Sequence, residues 1–306
     1  MKILKKIKKS NGRRNIFLCG IKIASYRRRK AVKSSCKMTY DTFAKYVDTV
    51  NDDEIAEDTQ ICVSEKNRIW QCWWQGEESA PPIVRKCFES VRRYAENCEI
   101  VIITRTNYSE YISIPDCILD KFNSGVISVT HLSDYIRCAL LSKWGGLWID
   151  STCYLTNHIP TEIMKAPFFQ FRVPCVLLDV PNGGRFSITG SSWFLRAAPG
   201  CEIIVRVEKA LEEYWTQEDG LIDYFLFHYL LSAIVTKDII CRQKYLEMEY
   251  RPNDVPHLMQ GLLRDKFDKG LYEQVSRLSF IHKLTYKNIE EMDGTLYSYL
   301  LNSEYD

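Results

Sequence analysis

The chain has 306 residues, of which 46% are hydrophobic and 12% aromatic, enough for one large domain or two closely packed halves. Its formal net charge is +2, but residues 1–37 hold fourteen Lys and Arg and no acidic residue. The rest of the chain has 27 basic and 39 acidic residues, a formal charge of −12. A net acidic body without a recognition motif argues against a nucleic-acid-binding domain.

The sequence predicts neither a membrane span nor a secretion signal. The best N-terminal candidate, Ile16–Ala24, is interrupted by Lys22 and is much shorter than the ~20 apolar residues that cross a bilayer. It is followed by Arg27–Lys30 and not by a small-residue cleavage site. The twelve cysteines contain no CxxC pair and are expected to be reduced. We therefore expect a cytoplasmic protein, either free or peripheral on the cytoplasmic face of the membrane.

Three zones follow one another along the chain. Residues 1–40 form a basic segment that we expect to be a flexible tail, and residues 41–66 form a connector with an acidic run. Residues 67–306 have the pattern of a folded domain. The tail suits an anionic membrane surface, but a solvated segment without function or a nucleic-acid-binding segment remain alternatives.

The first half of the domain alternates between strand and helix patterns. Residues 68–74 are apolar and aromatic enough for a strand, and apolar residues recur at helical spacing over 82–96. The β-branched run at 99–104 predicts a second strand, and residues 126–129 a third.

A helix is then expected over 132–143, with Thr130 or Ser133 as its N-cap. It would end at Gly145 and Gly146, where glycine favours a left-handed turn, and residues 147–150 would return to the sheet. Strands alternating with helices predict an α/β fold, a mostly parallel sheet flanked by helices.

The segment 131–156 concentrates polar groups suited to chemistry. Asp134 and Arg137 lie three positions apart and share one helix face, and Asp150 follows the next strand. Ligands of open α/β sheets bind beyond the carboxyl ends of strands, and a carboxylate there suits Mg²⁺ or Mn²⁺ bridging a diphosphate. A simpler alternative is that Asp150 caps the strand and the other two residues form a surface ion pair.

Three ordered motifs carry a family resemblance over roughly residues 67–290. The run SDYIRCALLSKWGGLWIDST, residues 133–152, resembles the signature of capsular polysaccharide synthesis proteins, which relate to the DXD sugar transferases of glycosyltransferase family 32. The run IWQCWWQG at 69–76 is similar to the family's first strand, and IHKLTYK at 281–287 resembles its C-terminal element.

The resemblance implies a GT-A-like fold with a helical acceptor-side region. It implies that Asp150 is a catalytic residue that binds metal and diphosphate, with His282 completing the metal shell. Its implied donor-binding residues are Trp70, Gln71, Trp73, Asp134, Arg137, Gly145, Gly146, Thr152, Lys283 and Lys287. One departure is visible, because Asp150-Ser151-Thr152 offers one carboxylate where the family motif often has two.

Two further segments are candidates for the acceptor side. Ser191, Ser192 and Trp193 lie in a run that resembles the family's acceptor loop, where an aromatic ring beside hydroxyls suits a sugar face. An ordinary turn with a buried tryptophan is the alternative. Asp223 opens an apolar helix reaching to about 235 and is a candidate catalytic carboxylate on the acceptor side.

The expected function is transfer of a sugar from a nucleoside-diphosphate sugar to a surface glycan. By family analogy, we expect a UDP-linked donor, Mn²⁺ or Mg²⁺ as cofactor and retention of anomeric configuration, as a hexosyl- or N-acetylhexosaminyltransferase. The expected partners are the donor, a capsular or lipid-linked glycan acceptor and an anionic membrane surface, with no nucleic acid. The alternative is a non-catalytic subunit that binds the donor or scaffolds capsule assembly.

Overall fold

The computed structural model describes residues 4–8, 13–18, 21–27, 40–49, 67–173, 177–180, 184–187, 189–289 and 292–303. Its centre is a five-stranded sheet formed by β4 (Arg68–Cys72), β5 (Glu99–Ile103), β6 (Gly146–Ile149), β8 (Phe168–Arg172) and β11 (Gly190–Ala197). The order of the strands across the sheet is β5-β4-β6-β11-β8. Strand β4 is parallel to β5 and β6, and β11 is antiparallel to β6 and β8, so four strands share one direction. The predicted mostly parallel α/β fold is confirmed.

Eleven helices are assigned among the described residues. They are α1 (Tyr40–Asp48), α2 (Pro82–Tyr94), α3 (Asp116–Asn123), α4 (Val129–Trp144), α5 (Thr161–Lys165), α6 (Glu202–Gln217), α7 (Leu226–Lys237), α8 (Ile239–Glu247), α9 (Leu258–Leu262), α10 (Lys269–Leu278) and α11 (Leu296–Asn302). No helix among them is both long and apolar enough to cross a bilayer.

Helix α4 begins earlier than the sequence predicts, and the third strand expected at 126–129 does not form. The side chain of Ser128 caps the helix by accepting a hydrogen bond from the backbone N–H of His131. Val126 and Val129 are both 38% exposed, so neither fills the sheet core. A four-residue apolar run is too short to specify a strand when a capping serine lies within it.

Two glycines connect α4 to β6, as predicted. Gly145 has φ +62 and its N–H closes the helix on the carbonyl of Leu141. Gly146 has φ +99, and a Cβ there would come within 2.5 Å of the Arg68 carbonyl oxygen. Only glycine lets the chain turn this sharply and pass so close to β4. Strand β6 therefore lies directly beside β4, and Asp150 emerges from the edge where both strands end.

Helix α1 packs on the folded body, although residues 41–66 were expected to be a connector. The ring of Phe43 stacks on Tyr229 of α7 at 4.8 Å, and Tyr46 meets Tyr214 of α6 edge-on at 5.0 Å. Phe43 and Tyr46 are both buried. The core therefore includes residues that precede the predicted domain boundary at 67.

Smaller sheets complete the described structure. Strands β1 (Leu4–Lys8), β2 (Arg13–Leu18) and β3 (Ile21–Arg27) form an antiparallel meander within the segment expected to be a flexible tail. Strands β9 (Leu177–Val180) and β10 (Gly184–Ser187) form a hairpin. Strands β7 (Cys153–Leu155) and β12 (Ile281–Lys283) pair as an antiparallel ribbon, with Lys283 opposite Cys153.

Candidate active site

A cleft of about 580 Å³ opens at the edge of the sheet where β4 and β6 end. Its residues come from the loop after β4, from α4, from the turn after β6 and from the segment after β12. They include Trp73, Trp74, Arg137, Asp150, Ser151, Thr152, Tyr224, His257, Gln260, Lys283, Tyr286 and Lys287. Parallel strands place their carboxyl ends at one edge, which is where open α/β sheets bind ligands.

A slightly larger cavity of about 650 Å³ lies at the opposite end of the β7–β12 ribbon, around Thr156 and Ser279. Two of its arginines form ion pairs with neighbouring glutamates, Arg251 with Glu162 and Arg277 with Glu273. The cleft at Asp150 instead combines a buried charge cluster with the strand ends. We therefore assign the candidate site to the smaller cavity, the cleft at Asp150.

The carboxylate of Asp150 is held by three side-chain donors. Its Oδ1 accepts a hydrogen bond from Trp148 Nε1 at 2.8 Å and lies 3.3 Å from Nη2 of Arg137. Its Oδ2 accepts from the ammonium of Lys283 at 2.6 Å. The backbone N–H of Asp150 donates to the carbonyl of Trp193 on β11. Both carboxylate oxygens therefore have a partner, and the side chain has a fixed orientation.

Charge pairing keeps this cluster ionised at neutral pH. Burial alone raises the pKa of Asp150, but Lys283 and Arg137 outweigh it and bring the pKa down to about 2. Burial likewise opposes the charged form of Lys283, yet Asp150 holds the pKa of this ammonium above its ordinary value. Both partners are thus charged, and the cleft floor contains a largely buried salt bridge.

Helix α4 supplies a second ion pair behind the first. Nη1 of Arg137 lies 2.8 Å from the carboxylate of Asp134, one turn earlier on the same face. The guanidinium is also 5.0 Å from the ring of Trp148. Burial raises the pKa of Asp134, and the charge of Arg137 only partly offsets that shift. Arg137 therefore bridges a buried carboxylate and the one that faces the cleft.

The segment after β12 forms one wall. The Leu284 N–H donates to the carbonyl of Thr152 at 2.8 Å, which fixes this segment against the turn after β6. Beyond it, the ring of Tyr286 meets Trp73 edge-on at 5.6 Å. Lys287 is exposed and forms no ion pair with any residue that the structure describes. Two lysines and two aromatic rings thus converge on the space above Asp150.

Comparison with known proteins agrees with this geometry. Residues 20–300 match the family model described as capsular polysaccharide synthesis protein. The chain belongs to this family. The match includes all three motifs from which the resemblance was inferred, and it begins before the predicted domain boundary.

One curated relative is the O-glycosyltransferase braB of Annulohypoxylon truncatum, which is 26% identical over 196 residues. The alignment covers 60% of this chain and 45% of that protein, so this chain spans less than half of its relative's length.

The cleft brings together six of the residues that the family resemblance implies. Asp150 and Thr152 come from the turn after β6, Arg137 from α4 and Trp73 from the loop after β4, while Lys283 and Lys287 come from the C-terminal element. Asp134 lies behind Arg137 and is only 7% exposed, so it acts on the cleft through the arginine.

Two expected donor-binding residues of β4 lie in the core instead. Trp70 is fully buried, and its Nε1 donates to the carbonyl of Gly145 at 2.8 Å. Gln71 is also fully buried, and neither end of its amide has a hydrogen-bond partner among the described residues. Strand β4 ends at Cys72, and the residue after it, Trp73, is the first tryptophan of this segment that lines the cleft.

Gly145 and Gly146 are at the wrong edge of the sheet for donor binding. They open β6, whereas Asp150 follows its last residue, and four residues of strand separate the two ends by about 13 Å. Gly145 packs against Pro199, which a Cβ would approach to 2.5 Å. Both glycines therefore serve the turn and the sheet contact, not the ligand.

The structure does not bring His282 to Asp150. Neighbouring residues of a strand point to opposite faces, so His282 turns away from the cleft that Lys283 enters. Its Nε2 lies 3.1 Å from Thr156 Oγ1, and the side chain is fully buried. Burial lowers the pKa of His282 to about 3, so the ring is neutral. Its geometry fits a core histidine and not a ligand of an ion at Asp150.

The expected acceptor residues are mostly inside the fold. Ser191 is 4% exposed and donates to the Phe171 carbonyl, and Trp193 is 6% exposed and stacks on Phe171 at 4.8 Å. Ser192 is partly exposed but does not line the cleft. These residues were interpreted as a loop, yet they belong to strand β11. Ser191 and Trp193 are buried in the fold, and Ser192 between them is partly exposed.

Asp223 lies just outside the cleft that its neighbour Tyr224 lines. One of its oxygens accepts a hydrogen bond from the Phe225 N–H at 2.8 Å, in the turn that precedes α7. The side chain shapes that turn. Tyr224, at 60% exposed, is the group from this segment that meets the cleft.

Sequence reasoning missed His257 and Gln260, which line the cleft near α9. Nδ1 of His257 lies 2.7 Å from the Asn253 carbonyl, which can only accept, so this nitrogen carries the proton. Burial lowers the pKa of His257, which leaves Nε2 with a free lone pair at neutral pH. No motif surrounds this histidine, and its ring contact with Trp193 at 5.8 Å is a long-range one.

The side chains at Asp150 do not fit the divalent cation that the family resemblance implies. Among the described residues lining the cleft, Asp150 is the sole carboxylate, and Lys283 and Arg137 already engage its two oxygens. Mg²⁺ and Mn²⁺ prefer oxygen ligands and are repelled by neighbouring cations.

Proposed function

We propose that the cleft binds a nucleoside-diphosphate sugar and transfers its sugar to a hydroxyl group of a glycan acceptor. The observation that carries the proposal is the charge cluster of Asp150, Lys283 and Arg137 on the cleft floor, at the carboxyl ends of β4 and β6. Family membership and the curated relative's name support the same class of reaction.

The chemistry requires stabilisation of a leaving nucleoside diphosphate. As the bond between the anomeric carbon and the phosphate oxygen breaks, its electron pair stays on the diphosphate, and the acceptor oxygen bonds to the carbon. Preorganised cations near that oxygen lower the barrier most effectively in a site shielded from water. Lys283 and Arg137 are such cations, and Asp150 fixes their positions.

Retention of configuration is the stereochemistry we propose. In a retaining transfer, the departing phosphate accepts the proton of the incoming hydroxyl on the same face. The cleft then needs no strong base, which agrees with a carboxylate whose pKa is about 2. Positioning and electrostatic stabilisation supply the rate enhancement.

The aromatic walls support a nucleotide and a sugar as the two ligands. Trp73, Trp74 and Tyr286 offer faces for a planar base, and Tyr224 offers an exposed ring for a sugar. We propose a UDP-linked hexose or N-acetylhexosamine as the donor, and a capsular or lipid-linked surface glycan as the acceptor. Contact of the basic N-terminal segment with an anionic membrane surface would bring the enzyme to a lipid-linked acceptor.

The test is release of nucleoside diphosphate from a panel of nucleotide sugars by wild type and Asp150→Asn. We expect slow hydrolysis of one donor by the wild type and a loss of at least about 100-fold in the variant. Asp120→Asn, an exposed aspartate on α3 outside the cleft, is the matched control and should keep full activity. Donor binding without turnover, even with glycan acceptors present, would favour a non-catalytic donor-binding subunit.

A further inference from the structure

The ammonium of Lys283 occupies the place beside Asp150 where a divalent ion would bind. Its Nζ is 2.6 Å from Oδ2, within the distance at which a charged hydrogen bond forms. The other carboxylate oxygen accepts from Trp148 and faces Arg137. A metal ion that coordinated Asp150 would lie beside two positive charges, those of Lys283 and Arg137.

No other side chain in the described cleft has a negative charge that would offset the repulsion between a metal ion and these two cations. Asp134 points to Arg137 and is almost fully buried, and His282 lies on the far face of β12. A protein site for Mg²⁺ or Mn²⁺ usually offers one or two carboxylates besides the substrate phosphates. Here the single carboxylate of the cleft is already neutralised.

The same cleft has the groups needed to bind a diphosphate directly. An ammonium has three N–H donors, and Lys283 uses one of them on Asp150, which leaves two. Lys287 has no ion pair with a described residue, and it lies four positions further along the same wall. The hydroxyls of Ser151 and Thr152 line the floor and have no hydrogen-bond partner among the described residues.

We propose that Lys283 and Lys287 bind the diphosphate of the donor in place of a divalent cation, so that donor binding is independent of metal. The inference rests on the proposed function, since it concerns the same cleft and the same donor. Asp150 then holds Lys283 in position and is not a metal ligand. The negative charge that develops on the leaving diphosphate is balanced by the two ammonium groups and by Arg137.

The experiment is calorimetric titration of the full chain with UDP and, separately, with GDP. Each titration is done in EDTA and repeated in millimolar Mn²⁺ and Mg²⁺. The variants are Lys287→Met and Lys283→Arg. The second of these keeps a positive charge beside Asp150. Lys269→Met, an exposed lysine outside the cleft, is the control for loss of one surface charge.

We expect the dissociation constant of one nucleotide in EDTA to equal that with metal within about twofold. Lys287→Met should weaken binding about tenfold, since a charge-assisted contact to phosphate is lost, and Lys269→Met should not. Binding that disappears in EDTA and returns with Mn²⁺ would overturn the inference while leaving the proposed function intact. Absence of binding to either nucleotide in every condition would overturn both.

Discussion

Removal of the Asp150 carboxylate leaves Lys283 without its charge partner, whereas Arg137 keeps Asp134, so this residue affects folding as well as chemistry. Breaking one side of a buried ion pair costs about 3–5 kcal/mol. We expect Asp150→Ala to lower the free energy of unfolding by about that amount, measured by urea denaturation. The double variant Asp150→Ala/Lys283→Met should recover part of the loss, because no unpaired lysine remains.

Equal stability of the single and double variants would contradict a strong coupling between Asp150 and Lys283. The result also separates two reasons for inactivity. If the double variant is stable and still inactive, the loss of activity comes from the site and not from unfolding.

His257 gives the cleft a histidine whose pKa is lowered by burial. Its pKa is lowered from 6.5 by burial, so the ring stays neutral at pH 7 and gains a proton only as the pH falls further. A protonated ring loses the Nε2 lone pair that can accept a hydrogen bond from a sugar hydroxyl. We therefore expect kcat/KM to fall on the acid side of pH 6.5 in the wild type.

In His257→Gln, we expect kcat/KM to lose this acid limb, the decrease at low pH, and to be lower than in the wild type at higher pH. A profile of kcat/KM from pH 5 to 8 would show both effects. His228 lies near Arg137 and Asp150, but burial lowers its pKa to about 4, below the measured range. His158→Gln, outside the cleft, is the control. An unchanged acid limb in His257→Gln would assign the titration to another group.

At the residue scale, the sequence predicted side-chain contacts between residues that are close in the chain. It missed contacts between residues that are far apart in the chain. The helical spacing of Asp134 and Arg137 predicted a shared face, and the structure has them in a 2.8 Å ion pair. The partner of Asp150 is 133 positions away, and only the family motif associated Lys283 with it. Within that motif, sequence alone did not separate His282 from Lys283, because adjacent strand residues face opposite sides.

At the scale of elements, the turn from α4 to β6 determines where the strand ends and so where Asp150 lies. Gly146→Ala would place a Cβ 2.5 Å from the Arg68 carbonyl at a backbone angle of +99°, and both effects strain the fold. We expect the free energy of unfolding to fall by more than about 2 kcal/mol, measured by thermal and urea denaturation.

Gly125→Ala is a matched control, because Gly125 also has a positive φ of +82° but has open space around it. It should show the backbone strain without the clash, about 1 kcal/mol. Nucleotide affinity of the folded fraction should be unchanged in both variants. A Gly146→Ala protein with normal stability and weakened nucleotide binding would restore the donor-binding role that the family motif implied.

The order of strands and helices was readable because hydrophobic periodicity and the glycine pair are local signals. The run at 126–129 shows the limit of that reasoning, since Val126 and Val129 flank an N-cap and stay exposed, and only Ile127 is buried. The serines and tryptophan of β11 show the opposite error. The small polar side chains of Ser191 and Ser192 suggest a loop, but β11 pairs with both β6 and β8.

At the scale of the whole molecule, a basic N-terminal segment precedes a body that is formally −12. Such a segment binds an anionic membrane at roughly 1 kcal/mol per charge near the surface, while the acidic body is repelled. Helix α1 marks the division between the two, because Phe43 and Tyr46 are buried in the core. Truncation before α1 and truncation after it should therefore have different effects.

We expect deletion of residues 2–37 to abolish co-sedimentation with vesicles rich in phosphatidylserine. Because β3 contacts α9 of the folded body, the melting temperature of the truncated protein is measured alongside. Deletion of residues 2–49 removes Phe43 and Tyr46 as well, and exposure of their contacts should cost at least about 3 kcal/mol of stability. Neutral phosphatidylcholine vesicles are the control for charge. If the shorter deletion still co-sediments, the membrane contact belongs to the acidic body, where exposed apolar residues and not lysines would have to provide it.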